Sequence, residues 1–420
     1  MNGESIKGDN IAILKRRNQS LILSTIAEQG PISRIAIAKK TALTKSAISK
    51  VVEDLIKLGL VEEVGIDDTS VGRKPVTLKL TTDNYFVIGV GIRRTEISTG
   101  IADLRGSIIA RKKASLEERA NQKTILKKLI GLIYGVVKDS GIQKEKVIVI
   151  GIGSPGPLYA HSGIILSPPN FPGWRNILLR KLIEEEFKIP TFIDNDANTC
   201  ALGEKWFGSG QGINNFIYLL CDKGVGAGIV INGEVYRGVD GMAGEVGHTS
   251  ISLRGKRCEC ENYGCLENFI SHSVVISKAR KLISSGKKTM ITKMVRGKLK
   301  DIKIKTIIEA AQKKDELALQ LSEEVARYLG IGITNLVNLF NTKTIIIGGQ
   351  FAQAGEILLD PIRKMVKKRA YPAVARDLKI ITDHLGEETY VVGATALALS
   401  FVFKDLRLIE KQRSPLVPKT

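Results

Sequence analysis

The sequence predicts a winged helix-turn-helix domain over residues 1–82, followed by a two-lobed α/β body over residues 83–420. Three observations lead to this fold class. Two short helical patterns separated by a tight turn precede a polar hairpin near the N-terminus. From Phe86 onwards, buried-strand patterns alternate with helical ones, which is typical of α/β proteins. The second part is also long for one α/β unit, so we expect two lobes with a cleft between them.

The composition is that of a globular protein with an excess of basic residues. The 420 residues are 43% hydrophobic, which excludes a disordered chain. Lys and Arg number 63 against 43 Asp and Glu, a formal net charge of +20, and this suggests a polyanion or an acidic surface as partner. No run of about 18 apolar residues is present and residues 1–10 are polar, so neither a membrane span nor a signal peptide is expected. We therefore expect a cytoplasmic protein.

Capping residues and stop signals divide the N-terminal segment into three helices. The first has apolar residues on one face and is ended by Gly30-Pro31, since proline cannot continue a helix. Ser33 and Thr44 are placed to cap the two helices that follow. The predicted helices cover residues 11–27, 33–40 and 44–58.

The last of these helices presents polar side chains at its N-terminal end. Its apolar residues fall on one face, which leaves Lys45, Ser46, Ser49 and Lys50 pointing outward. Such an end can enter a major groove and donate hydrogen bonds to base edges and phosphates. We therefore predict that this domain binds DNA. The alternative is a small helical domain that binds protein.

A basic hairpin follows the helix-turn-helix pattern. Strand patterns at 60–64 and 76–80 flank a polar tip that contains Gly-Arg-Lys-Pro at 72–75. An arginine on such a wing can enter a minor groove, because a narrow groove focuses negative potential. We predict that Arg73 and Lys74 contact DNA.

Short apolar runs and longer helical patterns alternate through the body. Glycine and polar residues bound the apolar runs, and the helical patterns repeat with a period near 3.6. The predicted strands are Phe86–Ile92, Val147–Ile152, Thr191–Ile193, Phe216–Leu220, Gly228–Ile231 and Thr344–Ile347. The predicted helices are Lys123–Lys138, Ile177–Phe187, Glu316–Val337 and Glu356–Lys368.

One segment of the body carries much of the positive charge. Lys278–Lys314 holds thirteen Lys and Arg and only two acidic residues, Asp301 and Glu309. Its pattern is helical, and we expect it to form a solvated helical surface. Residues 1–82 hold thirteen basic and nine acidic residues. The overall charge is therefore a weak guide to DNA binding, which is predicted from the helix pattern instead.

Two polar clusters follow predicted strands, at the sheet edge where α/β folds bind ligands. Residues 151–157, Gly-Ile-Gly-Ser-Pro-Gly-Pro, form a tight turn where backbone can approach a ligand. Residues 194–198, Asp-Asn-Asp-Ala-Asn, end another strand before a helix. A carboxylate beside an amide can bind vicinal hydroxyls as acceptor and donor. Taken alone, an Asp in this position is more often a helix cap.

A more specific run of motifs covers residues 220–267. It contains Gly-Val-Gly-Ala-Gly at 224–228, Gly-Glu-Val-Gly-His at 244–248 and Cys-Glu-Cys-Glu-Asn-Tyr-Gly-Cys-Leu-Glu at 258–267. These motifs resemble the ROK family of bacterial repressors and sugar kinases, a branch of the actin-like ATPase superfamily. The N-terminal segment is similar to the repressor branch, which includes xylose- and N-acetylglucosamine-responsive repressors.

The resemblance implies a body with the duplicated, RNase H-like fold of sugar kinases, Hsp70 and actin. Lobe 1 is then expected at about 83–198 plus 391–405, and lobe 2 at about 199–390. Asp196 matches the catalytic base of the kinase members, which takes a proton from the attacking hydroxyl. The implied sugar contacts are Asn170, Asn195, Asp196, Glu245, His248 and Glu267, and all six retain the family's residue types.

Three of the five cysteines lie close together beside this sugar site. Crowded thiols in a reducing compartment suggest a metal rather than disulfides. One imidazole and three thiolates make a closed tetrahedral set, so we predict one structural zinc ion per chain that holds the loop 248–267. Reduced, metal-free cysteines are the alternative, and Glu261 stands where the family has glycine. The predicted ligands are His248, Cys258, Cys260 and Cys265.

The phosphate-binding motifs depart from the kinase pattern. Kinase members have Asp-x-Gly-Gly-Thr where this chain has Gly-Ile-Arg-Arg-Thr at 91–95. Their second loop, Gly-Thr-Gly-x-Gly-x-Gly, is Asp-Lys-Gly-Val-Gly-Ala-Gly at 222–228. Without the metal-organising carboxylate and the first glycines, phosphoryl transfer should slow by several powers of ten. We therefore expect neither ATP nor Mg²⁺, with Arg93 and Arg94 filling the cleft or holding a phosphate.

Together these features predict a sugar-responsive transcriptional repressor that is not an enzyme. We expect operator DNA at the winged helix and a monosaccharide of the xylose, glucose or amino-sugar class between the lobes. A homodimer or homotetramer is expected, because two-fold symmetric operators need two readers. One alternative is an ATP-dependent, glucokinase-like hexose kinase that carries a DNA-binding segment. Another is an adaptor that a protein partner releases from DNA.

Overall fold

The computed structural model describes residues 11–65, 76–117, 120–168 and 174–413. The helices of the N-terminal domain are α1 (Ile11–Gln29), α2 (Arg34–Thr41) and α3 (Lys45–Lys57). Its strands are β1 (Ile32–Ser33), β2 (Val61–Val64) and β3 (Thr77–Leu80), in the order β1-β3-β2. A helix-turn-helix followed by a two-stranded hairpin is therefore confirmed, while the tip at 72–75 lies outside the described residues.

Side-chain caps begin both helices of the helix-turn-helix, as the sequence predicts. The Ser33 hydroxyl accepts a hydrogen bond from the Ala36 amide at 3.2 Å, and the Thr44 hydroxyl accepts one from the Ala47 amide at 3.3 Å. Between the helices, Ala42 has a φ of 55°, which reverses the chain direction. The buried face of α3 consists of Ile48, Val51, Val52 and Leu55.

The first lobe is built on a mixed five-stranded sheet. Its elements are β4 (Phe86–Ile92), β5 (Glu96–Asp103), β6 (Ile108–Ser115), α4 (Gln122–Ser140), β7 (Val147–Ser154), β8 (Leu158–Tyr159), β9 (Ile164–Ile165), α5 (Leu179–Phe187) and β10 (Thr191–Asn195). The strand order is β10-β7-β4-β5-β6, with β4, β7 and β10 parallel. The carboxyl ends of these parallel strands meet at one edge, which brings their following turns together.

The second lobe repeats this sheet plan after the helix α6 (Asp196–Phe207). Its elements are β11 (Phe216–Cys221), β12 (Val225–Ile231), β13 (Glu234–Tyr236), α7 (Glu267–Ile270), α8 (His272–Ser284), α9 (Met290–Met294), α10 (Ile304–Gln312), α11 (Glu316–Phe340), β14 (Thr344–Gly348), α12 (Glu356–Arg369), α13 (Pro372–Ala375) and β15 (Lys379–Thr382). The strand order is β13-β12-β11-β14-β15, with β11, β14 and β15 parallel. Each lobe thus joins three parallel strands to an antiparallel hairpin, as a duplicated fold requires.

The helix α14 (Thr389–Lys404) lies between the lobes and is followed by α15 (Arg407–Arg413). Twelve of the sixteen residues of α14 are buried. Glycines on its neighbours let it lie directly on the sheet of the first lobe. A side chain at Gly89 in β4 would collide with Thr395, and one at Gly151 in β7 would collide with Ala394.

The C-terminal half of α14 also belongs to the core of the N-terminal domain. Ile22 and Ile26 of α1 share one apolar cluster with Val402 and Phe403 of α14, and all four are at most 1% exposed. The same cluster includes Val149 of β7. The N-terminal domain and the first lobe therefore form one continuous hydrophobic core, which we call the head–lobe core.

Most predicted elements of the body are present within a few residues of their expected ends. The elements that were not predicted include the strands β5, β6, β8, β9, β13 and β15 and the helices α14 and α15. The basic segment Lys278–Lys314 forms α8, α9 and α10, as expected for a helical surface, and most of its basic side chains are exposed. In the part of the chain that is described, no helix combines the length and the apolar character that crossing a membrane needs.

Replacing Phe403 by Ala should lower the free energy of unfolding by about 3 kcal/mol, the usual cost of emptying a buried aromatic site. Phe403 is 1% exposed and stacks on Trp206 with ring centroids 5.5 Å apart. Guanidinium unfolding followed by circular dichroism measures this loss. Tyr371→Ala is the matched control, because that ring is 67% exposed and its removal should cost less than about 1 kcal/mol. Equal losses in the two variants would contradict a shared head–lobe core.

Candidate functional site

Asn195 and Asp196 lie at the carboxyl end of β10, where α6 begins. Oδ1 of each side chain accepts a hydrogen bond from the Ala197 amide at 2.9 Å, so both cap the helix. Each side chain has a second polar atom, Asn195 Nδ2 or Asp196 Oδ2, that the cap does not use. Capping and ligand binding are therefore compatible at these two positions.

An ion pair with a buried carboxylate fixes the strand end beside these two residues. Asp194 is 1% exposed, and its Oδ2 accepts hydrogen bonds from Arg237 Nε at 2.8 Å and Nη2 at 2.7 Å. Its Oδ1 accepts from Asn198 Nδ2 at 2.9 Å and from the Asn195 amide at 2.8 Å. Arg237 follows β13 of the second lobe. This two-pronged pair therefore ties β10 to the second lobe and holds Asn195 and Asp196 in place.

Asn195 of the first lobe and Glu245 of the second lobe both lie near Gly156, in the turn after β7. Gly156 lies so near both that an added Cβ would be 2.7 Å from Asn195 Nδ2 and 3.7 Å from Glu245 Oε1. A glycine is needed there, because a larger residue would push the amide away. Polar atoms from both lobes thus lie against the same short stretch of backbone.

The carboxyl groups of this region are close enough to perturb one another. Burial raises the pKa of Asp196 to about 6, an effect that Arg94 opposes and Glu245 increases. Burial also raises the pKa of Glu245, with His248 opposing the shift and Glu267 adding to it. The two lobes therefore present several carboxylates to one shared space, an arrangement suited to a ligand rich in hydroxyl groups.

Glu267 begins α7 and points toward the hairpin between β11 and β12. Its Oε2 accepts a hydrogen bond from the Val225 amide at 2.9 Å. An added Cβ at Gly224 would lie 2.8 Å from Glu267 Oε2 and 3.1 Å from Arg94 Nη1. Arg94 of the first lobe thus approaches Glu267 of the second across the cleft.

The predicted metal ligands form one cluster beside the site. The four candidate ligand atoms of His248, Cys258, Cys260 and Cys265 all lie within 4.8 Å of one another. His248 Nδ1 is 3.6 Å from Cys258 Sγ, and Cys260 Sγ is 3.6 Å from Cys265 Sγ. Thiolates bound about 2.3 Å from a tetrahedral zinc ion lie roughly 3.8 Å apart, so the cluster fits such an ion.

The cysteine loop is connected directly to the sugar-site candidates. Asn262 Nδ2 donates a hydrogen bond to the His248 carbonyl at 3.1 Å, and the Leu266 amide donates one to the Thr249 carbonyl at 3.0 Å. Leu266 is fully buried and immediately precedes Glu267. A metal ion in the cluster would therefore restrain both His248 and Glu267.

A charged cluster fills the region of the loops 91–95 and 222–228. Arg93 Nη2 donates to Asp222 Oδ2 at 2.7 Å, and the Tyr390 hydroxyl donates to the same oxygen at 2.8 Å. The Arg93 guanidinium lies 4.6 Å from the centre of the Tyr390 ring. His272 Nδ1 is 3.5 Å from Asp222 Oδ1, and burial lowers the pKa of His272 to about 4, so this imidazole is neutral near pH 7. An added Cβ at Gly91 would be 2.7 Å from Tyr390 Cβ.

The DNA-contact candidates on α3 lie together at its first turns. Lys45, Ser46 and Lys50 are exposed and Ser49 is half-buried. The Ser46 hydroxyl lies 3.2 Å from the capping hydroxyl of Thr44, so the polar end of α3 faces away from the domain core. Three other candidates lie outside the described residues: Arg73, Lys74 and Asn170.

No sequence pattern pointed to Arg237, Tyr390 or His272 as site residues. Tyr390 lies 168 residues from Asp222 and Arg237 lies 43 residues from Asp194, so no local pattern joins either pair. One signal was available. Gly91 and Asp222 both depart from the kinase pattern, and the structure brings Tyr390 next to both.

Comparison with known proteins agrees with this architecture. The model of the ROK family matches residues 87–400, and the model of the MarR family matches residues 14–69. A xylose repressor of Caldicellulosiruptor bescii is 36% identical over 93% of this chain and 97% of its own length. The transcriptional dual regulator NagC of Escherichia coli is 31% identical over 92% of this chain and 93% of its own.

Solved structures also match this chain. A ROK family transcriptional regulator, a homologue of the Escherichia coli MLC protein, superposes with a TM-score of 0.82 at 30% identity, over 94% of this chain and 99% of that one. A ROK family glucokinase of Streptomyces griseus, solved with glucose and AMPPNP, superposes with a TM-score of 0.68 at 30% identity, over 74% of this chain and 99% of that one. The N-terminal domain is thus a MarR-like winged helix-turn-helix on a body with the actin-like fold of sugar kinases. With its family model matched over 87–400 and relatives alike along nearly their whole length, this chain belongs to the ROK family.

Proposed function

We propose that this protein is a transcriptional repressor that binds operator DNA and responds to a monosaccharide. The observation that carries the proposal is the combination of a capped, outward-facing helix α3 with a cleft where carboxylates of both lobes converge. The relatives named as xylose repressor and as NagC support the same role. Xylose, glucose and amino sugars are the classes of effector that we propose.

The N-terminal end of α3 enters the major groove of the operator. Lys45 and Lys50 contact phosphates or base edges, Ser46 and Ser49 donate hydrogen bonds, and Arg73 and Lys74 follow the adjacent minor groove. Two-fold symmetric operators require two such helices at a fixed spacing. A homodimer or a homotetramer therefore binds the operator.

The sugar binds between the lobes. Asn195 and Asp196 on the first lobe and Glu245, His248 and Glu267 on the second accept and donate hydrogen bonds to its hydroxyls, with Asn170 completing the set. Movement of the lobes then changes the spacing of the two DNA-binding domains. To move the operator from mostly bound to mostly free, the sugar must bind the protein conformation that does not bind DNA roughly 10⁴-fold more tightly than the one that does.

A structural zinc ion in the Cys3His cluster stiffens the loop that carries His248 and Glu267. Four protein ligands close the coordination shell, so the ion supplies rigidity rather than Lewis-acid chemistry. His248 serves both sites, because Nδ1 faces Cys258 and the ring has Nε2 for the sugar. The loop gains from the metal the stability that its small apolar content does not supply.

Kinase activity is lost in this chain. The residues at the phosphate loops do not fit Mg²⁺ and ATP, because Tyr390 takes the space beside Gly91 and Arg93 is paired with Asp222. A carboxylate at position 222 would also repel the phosphates. The alternative is a hexose kinase with Asp196 as base, which a pKa of about 6 for that group favours.

The first prediction concerns the reading helix. Lys50→Ala should raise the dissociation constant for an operator, selected from a random duplex pool, by about tenfold, since a base or phosphate contact contributes about 1–3 kcal/mol. Fluorescence anisotropy at fixed salt measures the change. Lys127→Ala on α4 is the matched control, because this lysine is also exposed but belongs to the body. Unchanged affinity of the Lys50 variant would remove α3 from the contact set.

The second prediction concerns the effector and the rival functions. One of D-xylose, D-glucose and N-acetyl-D-glucosamine should release the wild-type protein from that operator, and Asp196→Asn should require at least about tenfold more sugar, because a carboxylate acceptor is lost. If none of the three sugars releases the operator, the adaptor function is favoured. A coupled assay with ATP, Mg²⁺ and each sugar should show no turnover, and turnover that Asp196→Asn abolishes would establish the kinase instead.

The third prediction concerns the metal cluster. Elemental mass spectrometry of the purified wild-type protein should find about one zinc ion per chain. The Cys258→Ser variant should contain almost no zinc and should unfold at a lower temperature. Cys200→Ala is the control, because this cysteine is buried away from the cluster and its loss should leave the zinc in place. Zinc retained at wild-type level in the Cys258 variant would refute the ligand assignment.

A further inference from the structure

The cluster around Asp222 joins side chains from both lobes. Arg93 lies on the turn between β4 and β5 of the first lobe, and Tyr390 lies on α14, which packs on that lobe's sheet. Asp222 lies on the turn between β11 and β12 of the second lobe, and His272 begins α8 of the same lobe. The hydrogen bond from Arg93 to Asp222 therefore crosses the cleft. Tyr390, which shares an apolar cluster with Tyr218 and Leu220 of β11, supports Asp222 from the helix that lies between the lobes.

The contacts in this cluster are strong because the groups are shielded from water. The side chains of Arg93 and Asp222 are 16% and 15% exposed, and their nearest atoms are 2.7 Å apart. Burial alone would raise the pKa of Asp222, yet Arg93, with help from His272 and the Tyr390 hydroxyl, holds that pKa below its usual value. Removing one partner of such a pair leaves the other buried without an opposite charge. This loses much more stability than breaking an exposed pair does.

One side of the cluster is rigidly attached to the DNA-binding domain. Tyr390 lies at the first turn of α14, and Phe403 near its last turn belongs to the head–lobe core together with Ile22 of α1. A 16-residue α-helix spans about 24 Å, so α14 reaches from the cleft to the N-terminal domain. Rotation of the first lobe therefore carries the DNA-binding domain with it.

The arrangement that the cluster stabilises is the one in which the sugar-site candidates converge. Asn195 Nδ2 and Glu245 Oε1 lie near the same glycine, Gly156, although they come from different lobes. Arg94, the neighbour of Arg93, approaches Glu267 across the cleft at Gly224. If the lobes separated at the cluster, these pairs would move apart, because each pair spans the same cleft.

We propose that Arg93, Asp222 and Tyr390 form an interlobe latch that keeps the two lobes close enough for the sugar-site candidates to reach one ligand. The latch occupies the place where the kinase-like fold would hold phosphate, so an internal ion pair closes the cleft where a nucleotide would otherwise bridge the lobes. Tyr390 acts as a positioning residue: it has no contact with the sugar and sets the distance between the residues that do. The expected effect of the latch on sugar affinity rests on the proposed sugar-responsive function. Its expected effect on the distance between the lobes rests on the lobe geometry alone.

Two variants test the latch through sugar binding. Tyr390→Phe removes the hydroxyl that bonds Asp222 and retains the ring beneath Arg93. It should weaken binding of the best of D-xylose, D-glucose and N-acetyl-D-glucosamine by about tenfold in calorimetry, the effect of one hydrogen bond to a charged group. Tyr134→Phe is the matched control, because its hydroxyl bonds the Glu186 carboxylate at the same 2.8 Å but lies away from the cleft. In the charge-swapped pair Arg93→Asp with Asp222→Arg, binding should recover relative to either single change.

A distance measurement tests the latch without sugar. Spin labels on ketone-bearing amino acids at exposed positions 127 in the first lobe and 313 in the second report the lobe separation in the full-length chain, diluted with unlabelled protein. The distance distribution should be narrow in the wild type and in Tyr134→Phe, and broader or longer in Tyr390→Phe. The charge-swapped pair should narrow it again.

The outcomes separate this inference from the proposed function. Weaker sugar binding in Tyr390→Phe with an unchanged lobe distance would overturn the latch and leave the sugar-responsive function standing. No binding of any of the three sugars to the wild type would count against the proposed function, while the distance measurement still decides the latch. Wild-type sugar affinity and wild-type distances in both Tyr390→Phe and the single change Arg93→Asp would overturn the latch outright.

Discussion

The close packing of α14 is the constraint on which the arrangement of the whole molecule depends. This helix contacts the sheet of the first lobe through glycines, the helix α6 through Gly393, and the N-terminal domain through Phe403. Glycine at these contacts allows backbone to approach backbone, so the helix has little freedom to slide or rotate. This one helix therefore sets the positions of both the cleft and α3.

Two ion pairs join the lobes across the cleft. Asp194, which is buried, pairs with the half-buried Arg237 and fixes the strand end beside Asn195 and Asp196. The second pair, Arg93 with Asp222, lies where the kinase members of the family have glycines. Each pair holds a residue of the first lobe against a residue of the second.

Local chemistry made some of this structure predictable and left other parts hidden. The caps Ser33 and Thr44 and the buried face of α3 follow from residues within a few positions of one another, so the sequence predicts them well. The Cys3His cluster could be predicted for the same reason, because its four candidate ligands lie close together in the chain. The contact of Tyr390 with Asp222 was not predicted, because its partners are 168 residues apart and only the closed fold joins them. The strand β6 was missed because half of its residues face solvent and several are basic, which weakens the apolar signal.

The continuity of the head–lobe core means that the DNA-binding domain is not a portable module. Cutting the chain near residue 82 would expose Ile22 and Ile26 on one fragment and Val402 and Phe403 on the other, all of which are now almost fully buried. Each fragment would carry a fresh apolar patch, the kind of surface that causes proteins to aggregate. If such a domain were exchanged between relatives, the apolar surfaces on both sides of the head–lobe core would have to change together. The winged helix and the cleft are therefore coupled through one packed core, although they lie near opposite ends of α14.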